Sequence, residues 1–475
     1  MHFRSEISPN RSYGGSIMKK SFQLKSRSQL FLKLSLLVSG LVTSAAAQAY
    51  VVEQDVEYDS INGTDLKMDV FRPSKPGTAL RPALIFVHGG CYNSGSKAYI
   101  NNDVKSLADD GFTVFSINYR LAQVAKYPAA LVDVKQALRF IRKNSVRFQV
   151  DPNKIVAHGE SAGGHLASML GLQTAPDRNG RIDQYSGRVQ LVVDWFGRAD
   201  FTLTQTTGED CAQGWIGQPR NSKTLPIYKE ASLMTHVDAN SAAFYIIHGT
   251  HDFQVNPIHS ISFINTLWNK GRDAELVLNE GQGHGFGSRG IPWSLSRRRI
   301  LKQFGITNRV AVKNAAGAPS YAINAGQLDK SPNTYEFTPD KYFVGGAPFD
   351  YGNVRTEGTG NQELYTTSRY SKKFSYKLPV VNSVYRVSLY FAENSPSKTA
   401  KGMRVFDVAM SFPNGLSTVS VPVLPKFDVY SLAGPNNVIR RYVNVISKSP
   451  NLSIDFQGQT GDAFINAFSV YQTGY

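Results

Sequence analysis

Serine, aspartate and histidine can cleave an acyl bond together when each stands on the right element, and this chain holds such a set in a telling order. Gly159-Glu160-Ser161-Ala162-Gly163 is a G-x-S-x-G pentapeptide. The run Lys154-Ile155-Val156-Ala157 precedes it, and the small-residue stretch Gly163-Gly164-His165-Leu166-Ala167 follows. A strand that turns sharply into a helix would push the Ser161 hydroxyl outward. Glycines are needed on both flanks, because side chains there would strike the neighbouring strand and helix. An unassisted serine is a poor nucleophile near neutral pH. An imidazole must take its proton, and a carboxylate must fix that imidazole in one tautomer. Asp252, just beyond Phe244-Tyr245-Ile246-Ile247, and His284, in Gly281-Gln282-Gly283-His284-Gly285-Phe286, supply these groups in the chain order Ser, Asp, His.

The transition state also needs donors for a developing oxyanion. His88-Gly89-Gly90-Cys91 follows the apolar run Ala83-Leu84-Ile85-Phe86-Val87. The N–H groups of Gly90, Cys91 and Ala162 are the expected oxyanion hole, since glycines let backbone approach the substrate. Cys91 stands where a third glycine is usual, and a backbone donor needs no particular side chain. The other polar residues nearby read as support. His158 and His165 are expected in structural roles, His248 and His251 as packing or loop residues, and Asp133 on a solvated or capping helix position. Glu160 either lines the site or makes a supporting hydrogen bond.

The elements that must position these groups alternate strand and helix from Tyr50 to about Phe304. Asp65–Phe71 alternates polar and apolar residues, as a half-exposed strand does. Thr113–Ile117, Leu191–Val193 and Glu275–Leu278 read as further strands, and Val134, Leu138 and Ile141 fall at helical spacing. The pattern predicts an α/β fold with a mostly parallel sheet covered by helices, closed by a helix over Trp293–Phe304. Residues 308–319 are small and polar and read as a linker. Beyond them, Lys373–Leu378, Tyr385–Phe391 and Leu452–Phe456 predict an all-β sandwich over residues 320–475. The catalytic domain is then expected over residues 50–307.

Residues 1–49 read as an upstream extension and a signal peptide. Met18-Lys19-Lys20 opens a basic stretch, Leu34–Val42 is mostly apolar, and Ala47 and Ala49 fit a small-residue cleavage site, with cleavage expected after Ala49. The product would be secreted or periplasmic. No later run of apolar residues is long enough to span a membrane. The formal net charge is +16, of which residues 1–49 carry seven Lys or Arg against one Glu. The basic remainder could draw acidic polysaccharides, yet no basic block is interleaved with aromatics, which argues against nucleic acid. The two cysteines, Cys91 and Cys211, could pair in an exported protein, and the sequence leaves this open. They are too few, without clustered His or Asp, for a structural zinc site, so no metal is expected.

Two resemblances sharpen these expectations. His88-Gly89-Gly90, Asn118-Tyr119-Arg120-Leu121, Tyr127-Pro128-Ala129-Ala130, Gly159–His165, Asp252 and Gly283-His284-Gly285-Phe286 resemble the bacterial feruloyl and acetyl xylan esterases, relatives of the hormone-sensitive-lipase-type enzymes. That resemblance implies hydrolysis of an ester through an acyl-serine, without cofactor, on a polysaccharide or oligosaccharide ester. Ile323-Asn324-Ala325-Gly326, Phe391-Ala392-Glu393 and Asp462–Ala467 resemble a malectin-type carbohydrate-binding domain. It implies Tyr365, Tyr370 and Asp462 as sugar contacts, although Asn394-Ser395 stands where sugar-binding malectins carry an aromatic pair. A general short-chain esterase, a peptidase, and a glycan-binding protein with an inert hydrolase half stay open as alternatives.

Overall fold

The computed structural model describes residues 50–474, except residues 76, 173–187, 205–208, 287–288, 307–319, 329–336 and 415–416. The signal-peptide and linker expectations therefore lie outside the described residues.

Eight strands build the first half: β1 (Tyr50–Ile61), β2 (Thr64–Pro73), β3 (Arg81–Val87), β4 (Thr113–Ile117), β5 (Val150–Glu160), β6 (Leu191–Trp195), β7 (Ala243–Gly249) and β8 (Ala274–Asn279). They lie in the order β1-β2-β4-β3-β5-β6-β7-β8, antiparallel at the β1–β2–β4 edge and parallel from β4 onward. The parallel strands are continuous apolar runs because helices cover both of their faces. Every residue of β4, β6 and β7 is buried. The helix Ala129–Lys143 packs Val134, Leu138 and Ile141 inward with no exposed surface, as the sequence spacing predicts. The closing helix runs Gly290–Gln303, three residues earlier at its start than expected.

The second half adds β9 (Tyr321–Asn324), β10 (Phe343–Val344), β11 (Ala347–Asp350), β12 (Thr367–Ser371), β13 (Lys373–Pro379), β14 (Ser383–Ala392), β15 (Val405–Asn414), β16 (Ser417–Phe427), β17 (Val438–Ser447), β18 (Asn451–Thr460), β19 (Ala463–Ile465) and β20 (Ala467–Gln472). Strands β10-β13-β18-β15-β16 form one sheet and β11-β12-β19 another. The remaining strands, β17-β14-β20-β9, continue the first sheet. Strand β17 pairs in parallel with β8, so twelve strands form one sheet across both halves. The sequence reading, which treats the halves as separate domains, gives no sign of this junction. Side chains reinforce it: Arg386 donates to Glu275 at 2.7 Å, and Arg298 donates to the Thr473 carbonyl at 3.1 Å.

Candidate active site

Strand β5 ends at Glu160 and a helix begins at Ala162, so Ser161 alone makes the turn, at φ +55°. A non-glycine residue in the left-handed region is strained, and such strain collects where geometry serves chemistry. The flanking glycines have no substitute. A Cβ on Gly159 would lie 2.2 Å from the Gly163 carbonyl oxygen, and one on Gly163 would lie 2.1 Å from that of Val87. The helix Ala162–Leu172 is buried on all sides.

The structure brings the three predicted side chains together. His284 Nε2 is 2.8 Å from Ser161 Oγ, and His284 Nδ1 is 2.8 Å from Asp252 Oδ2. A carboxylate only accepts, so Nδ1 carries the proton and Nε2 accepts from the serine hydroxyl. Asp252 is 2% exposed, and its Oδ1 accepts the N–H groups of Gln254 and Val255 at 3.0 and 2.9 Å. Burial alone would raise the Asp252 pKa. Hydrogen bonds from His248 and His284 outweigh burial and hold the carboxyl below its usual range.

Gly90, Cys91 and Ala162 line the same cavity as Ser161, which measures about 640 Å³. Gly90 adopts φ +112°, and a Cβ there would strike the Ser94 carbonyl. Cys91 and Tyr92 follow at φ +58° and +59°. Cys91 is bonded to Cys211 with a Cα–Cα distance of 5.1 Å, which answers the pairing left open by the sequence. Tyr92 stacks on Trp215 at 4.1 Å. His88 stacks on Tyr119 at 4.3 Å, and the Tyr119 hydroxyl donates to the His88 carbonyl at 3.0 Å. These contacts hold the glycine turn from both sides.

Several neighbours take more definite roles than the sequence suggests. His248 is fully buried, donates through Nε2 to the Val255 carbonyl at 2.8 Å, and places that nitrogen 3.3 Å from Asp252. It supports the acid, whereas the sequence marks it as packing. Asp133, expected on a solvated or capping helix position, is fully buried and takes a bidentate bond from Arg120. The Asn118-Tyr119-Arg120-Leu121 segment is the sequence signal for that partner. Glu160 lines the cavity and pairs with Arg289 through both carboxylate oxygens. His158 and His165 are buried against backbone carbonyls, as expected.

The sugar contacts fare differently. Tyr365 is only 3% exposed and packs with Leu364, Ala392 and Ala467. That ring has no open face for a sugar, which corrects the expectation drawn from the resemblance. Tyr370 is half-buried with its ring against Phe349, and Asp462 is half-buried between β18 and β19. Neither lines the cleft bounded by Tyr351, Glu393 and Asn394. Among the described residues, no group of His, Cys, Asp and Glu is placed to hold a metal.

Residues 68–267 match the BD-FAE family model, and residues 320–475 match the Malectin domain model. The chain is similar to Esterase LipC of Mycobacterium tuberculosis, at 33% identity over 228 residues, covering 46% of this chain and 56% of that one. It is similar to the probable carboxylic ester hydrolase LipM of the same organism, at 27% identity over 286 residues, covering 58% and 65%. The chain thus spans less than two thirds of the length of these relatives. A solved truncated form of a carbohydrate esterase from gut microbiota aligns with a TM-score of 0.48 at 27% identity, covering 54% of this chain and 98% of that one.

Proposed function

Because this chain joins a BD-FAE domain, an α/β-hydrolase of the hormone-sensitive-lipase-like kind, to a Malectin domain, we propose that it is an exported carboxylic ester hydrolase acting on carbohydrate esters through an acyl-serine. The observation that carries the reading is the unbroken relay Asp252–His284–Ser161, at 2.8 and 2.8 Å, opening onto one cavity.

Ser161 Oγ attacks the ester carbonyl while His284 Nε2 takes its proton. The N–H groups of Gly90, Cys91 and Ala162 receive the oxyanion. Collapse expels the alcohol, which takes its proton from His284. Water then repeats the sequence, with His284 as base, and frees the acid. Asp252 holds the imidazole in the Nδ1–H tautomer throughout. No metal or cofactor enters these steps.

Three features support a sugar as the alcohol. Tyr99 lines the serine cavity yet is 63% exposed, and an open tyrosine face suits the C–H face of a sugar ring. The Glu160–Arg289 pair on the same cavity offers planar donors and acceptors to hydroxyls. The Malectin domain adds a module that would raise local polysaccharide concentration. Tyr370 and Asp462 remain its proposed sugar contacts. Export is supported by the basic and apolar stretches before Ala49 and by the Cys91–Cys211 bridge, since disulfides persist in oxidising compartments.

The test is acid release from acetylated xylan, methyl ferulate and p-nitrophenyl esters by the wild type and by Ser161→Ala. Serine-dependent release from xylan or ferulate supports the reading and names the acyl group. Release from nitrophenyl esters alone reduces it to a general short-chain esterase. No serine-dependent release from any ester overturns it in favour of a peptidase or an inert, glycan-binding hydrolase fold.

A further inference from the structure

Strand β8 leads directly into the loop that carries His284, and its neighbour β17 belongs to the other half of the chain. Asn444, Val445 and Ile446 pair with Val277, Leu278 and Asn279, and the Glu280 N–H extends the ladder to the Ile446 carbonyl at 3.2 Å. Glu280 itself is 3% exposed. A carboxylate taken out of water must find donors, and among the described residues those of Glu280 come from residues 447–449. Its Oε2 accepts from the Ser447 hydroxyl at 3.2 Å, the Lys448 N–H at 2.6 Å and the Ser449 N–H at 3.1 Å. Its Oε1 accepts from the Ser449 hydroxyl.

Glu280 stands four residues before His284. The short segment between them is fastened on its other side to the loop of the catalytic acid. The Gly281 N–H donates to Thr250 Oγ1 at 2.9 Å, and the Gln282 carbonyl accepts the His251 N–H at 2.9 Å. The His284 loop is thus clamped between the Asp252 loop and the C-terminal half.

We propose that Glu280 is a positioning residue for His284, and that residues 447–449 make the C-terminal half a structural part of the hydrolytic centre. The inference rests on the ester-hydrolase reading and changes what the second half does. A tethered binding module acts through local concentration and leaves small soluble esters unaffected. A clamp on the histidine loop acts on every substrate, because misplacing a catalytic group by about 1 Å can lower the rate by about a hundredfold.

The experiment compares full-length variants on vinyl acetate and in the rate of Ser161 labelling by a fluorophosphonate. Glu280→Ala is expected to lower kcat about tenfold with KM changed less than about twofold, and to slow labelling by the same factor. Glu280→Gln keeps an acceptor oxygen and should recover most of both. The double variant Ser447→Ala/Ser449→Ala, on the distant half, should lower both about threefold, and it carries the test if Glu280→Ala does not fold. Glu275→Gln weakens another contact across the junction and should lower the melting temperature while keeping kcat. Folded Glu280→Ala and Ser447→Ala/Ser449→Ala proteins with wild-type kcat and labelling would overturn the proposal. So would an equal loss of kcat in Glu275→Gln, which would mark general loosening. A wild type whose Ser161 ignores the probe would overturn the hydrolase reading itself, and the clamp with it.

Discussion

Cys91 and Cys211, 120 residues apart in sequence, are joined by a disulfide, and both line the cavity onto which Ser161 opens. The bridge ties the glycine turn to the helix Glu209–Ile216. That turn needs a tie, because Gly90, Cys91 and Tyr92 all hold positive φ in succession. Closing so long a loop in the unfolded chain stabilises the fold by about 2–5 kcal/mol. The double variant Cys91→Ala/Cys211→Ala should lose about that much stability in urea unfolding and should also lose kcat, since Cys91 and the adjacent Gly90 are two of the proposed oxyanion donors. Unchanged stability and rate would show that packing of Tyr92 on Trp215 holds the turn without it.

Asp252→Asn should fold and lower kcat by about ten-thousandfold, because an amide stabilises the wrong imidazole tautomer. His248→Leu removes only a supporting group, leaving the Ser260 hydroxyl and Val255 carbonyl without their ring partner. Its effect should be a stability loss of about 1–3 kcal/mol. Steady-state kinetics and urea melts on both variants separate the two roles. A kcat loss in His248→Leu as large as that in Asp252→Asn would contradict the assignment.

Stability should fall as the pH drops below about 6.5. Burial lowers the His88 pKa to about 4 and the His165 pKa to about 3, so both rings stay neutral in the fold while the unfolded chain takes up protons at its ordinary value. Where the unfolded state binds more protons, stability declines with falling pH. The loss begins near the unfolded histidine pKa and is complete below the folded values. Asp252, with its folded pKa depressed, extends the decline: its contribution is present above the ordinary carboxylate range and vanishes as the pH falls through its folded value. Melting temperatures across this window check the sign, and His165→Gln should flatten the slope. A melting temperature that rises on acidification would contradict it.

Tyr99→Ala should lower the ratio of kcat/KM on an acetylated xylo-oligosaccharide to that on ethyl acetate by about five- to tenfold, the loss expected for one stacked ring. Tyr99→Phe keeps the face and should keep most of the ratio. An unaltered ratio in Tyr99→Ala would place the sugar elsewhere.

Much of the centre can be read in the sequence because its constraints are local. The collisions a side chain would meet at Gly159 and Gly163 force glycine at those positions, and residues 155–159, which lead into the turn at Ser161, are an unbroken buried run. His248 and Asp133 are harder to read. Arg120 reaches Asp133 from 13 residues away, and although Asp252 stands only four residues from His248, that spacing does not show the imidazole turning toward the carboxylate. The resemblance placed Tyr365 in a sugar site, whereas its burial depends on Ala392 and Ala467, far along the chain. The junction of β8 with β17 leaves no sequence signal, because any strand edge can accept a parallel partner whose register is set by backbone groups.

The most direct test is to find the acyl group on the serine. The protein is mixed with p-nitrophenyl acetate, quenched in acid within milliseconds, digested and weighed by mass spectrometry. The account predicts a burst of nitrophenolate stoichiometric with enzyme whenever deacylation is the slower step, an acetyl group on the peptide that contains Ser161, and neither in Ser161→Ala. Hydrolysis that proceeds at the wild-type rate in Ser161→Ala, with no acetylated peptide in the wild type, would contradict it.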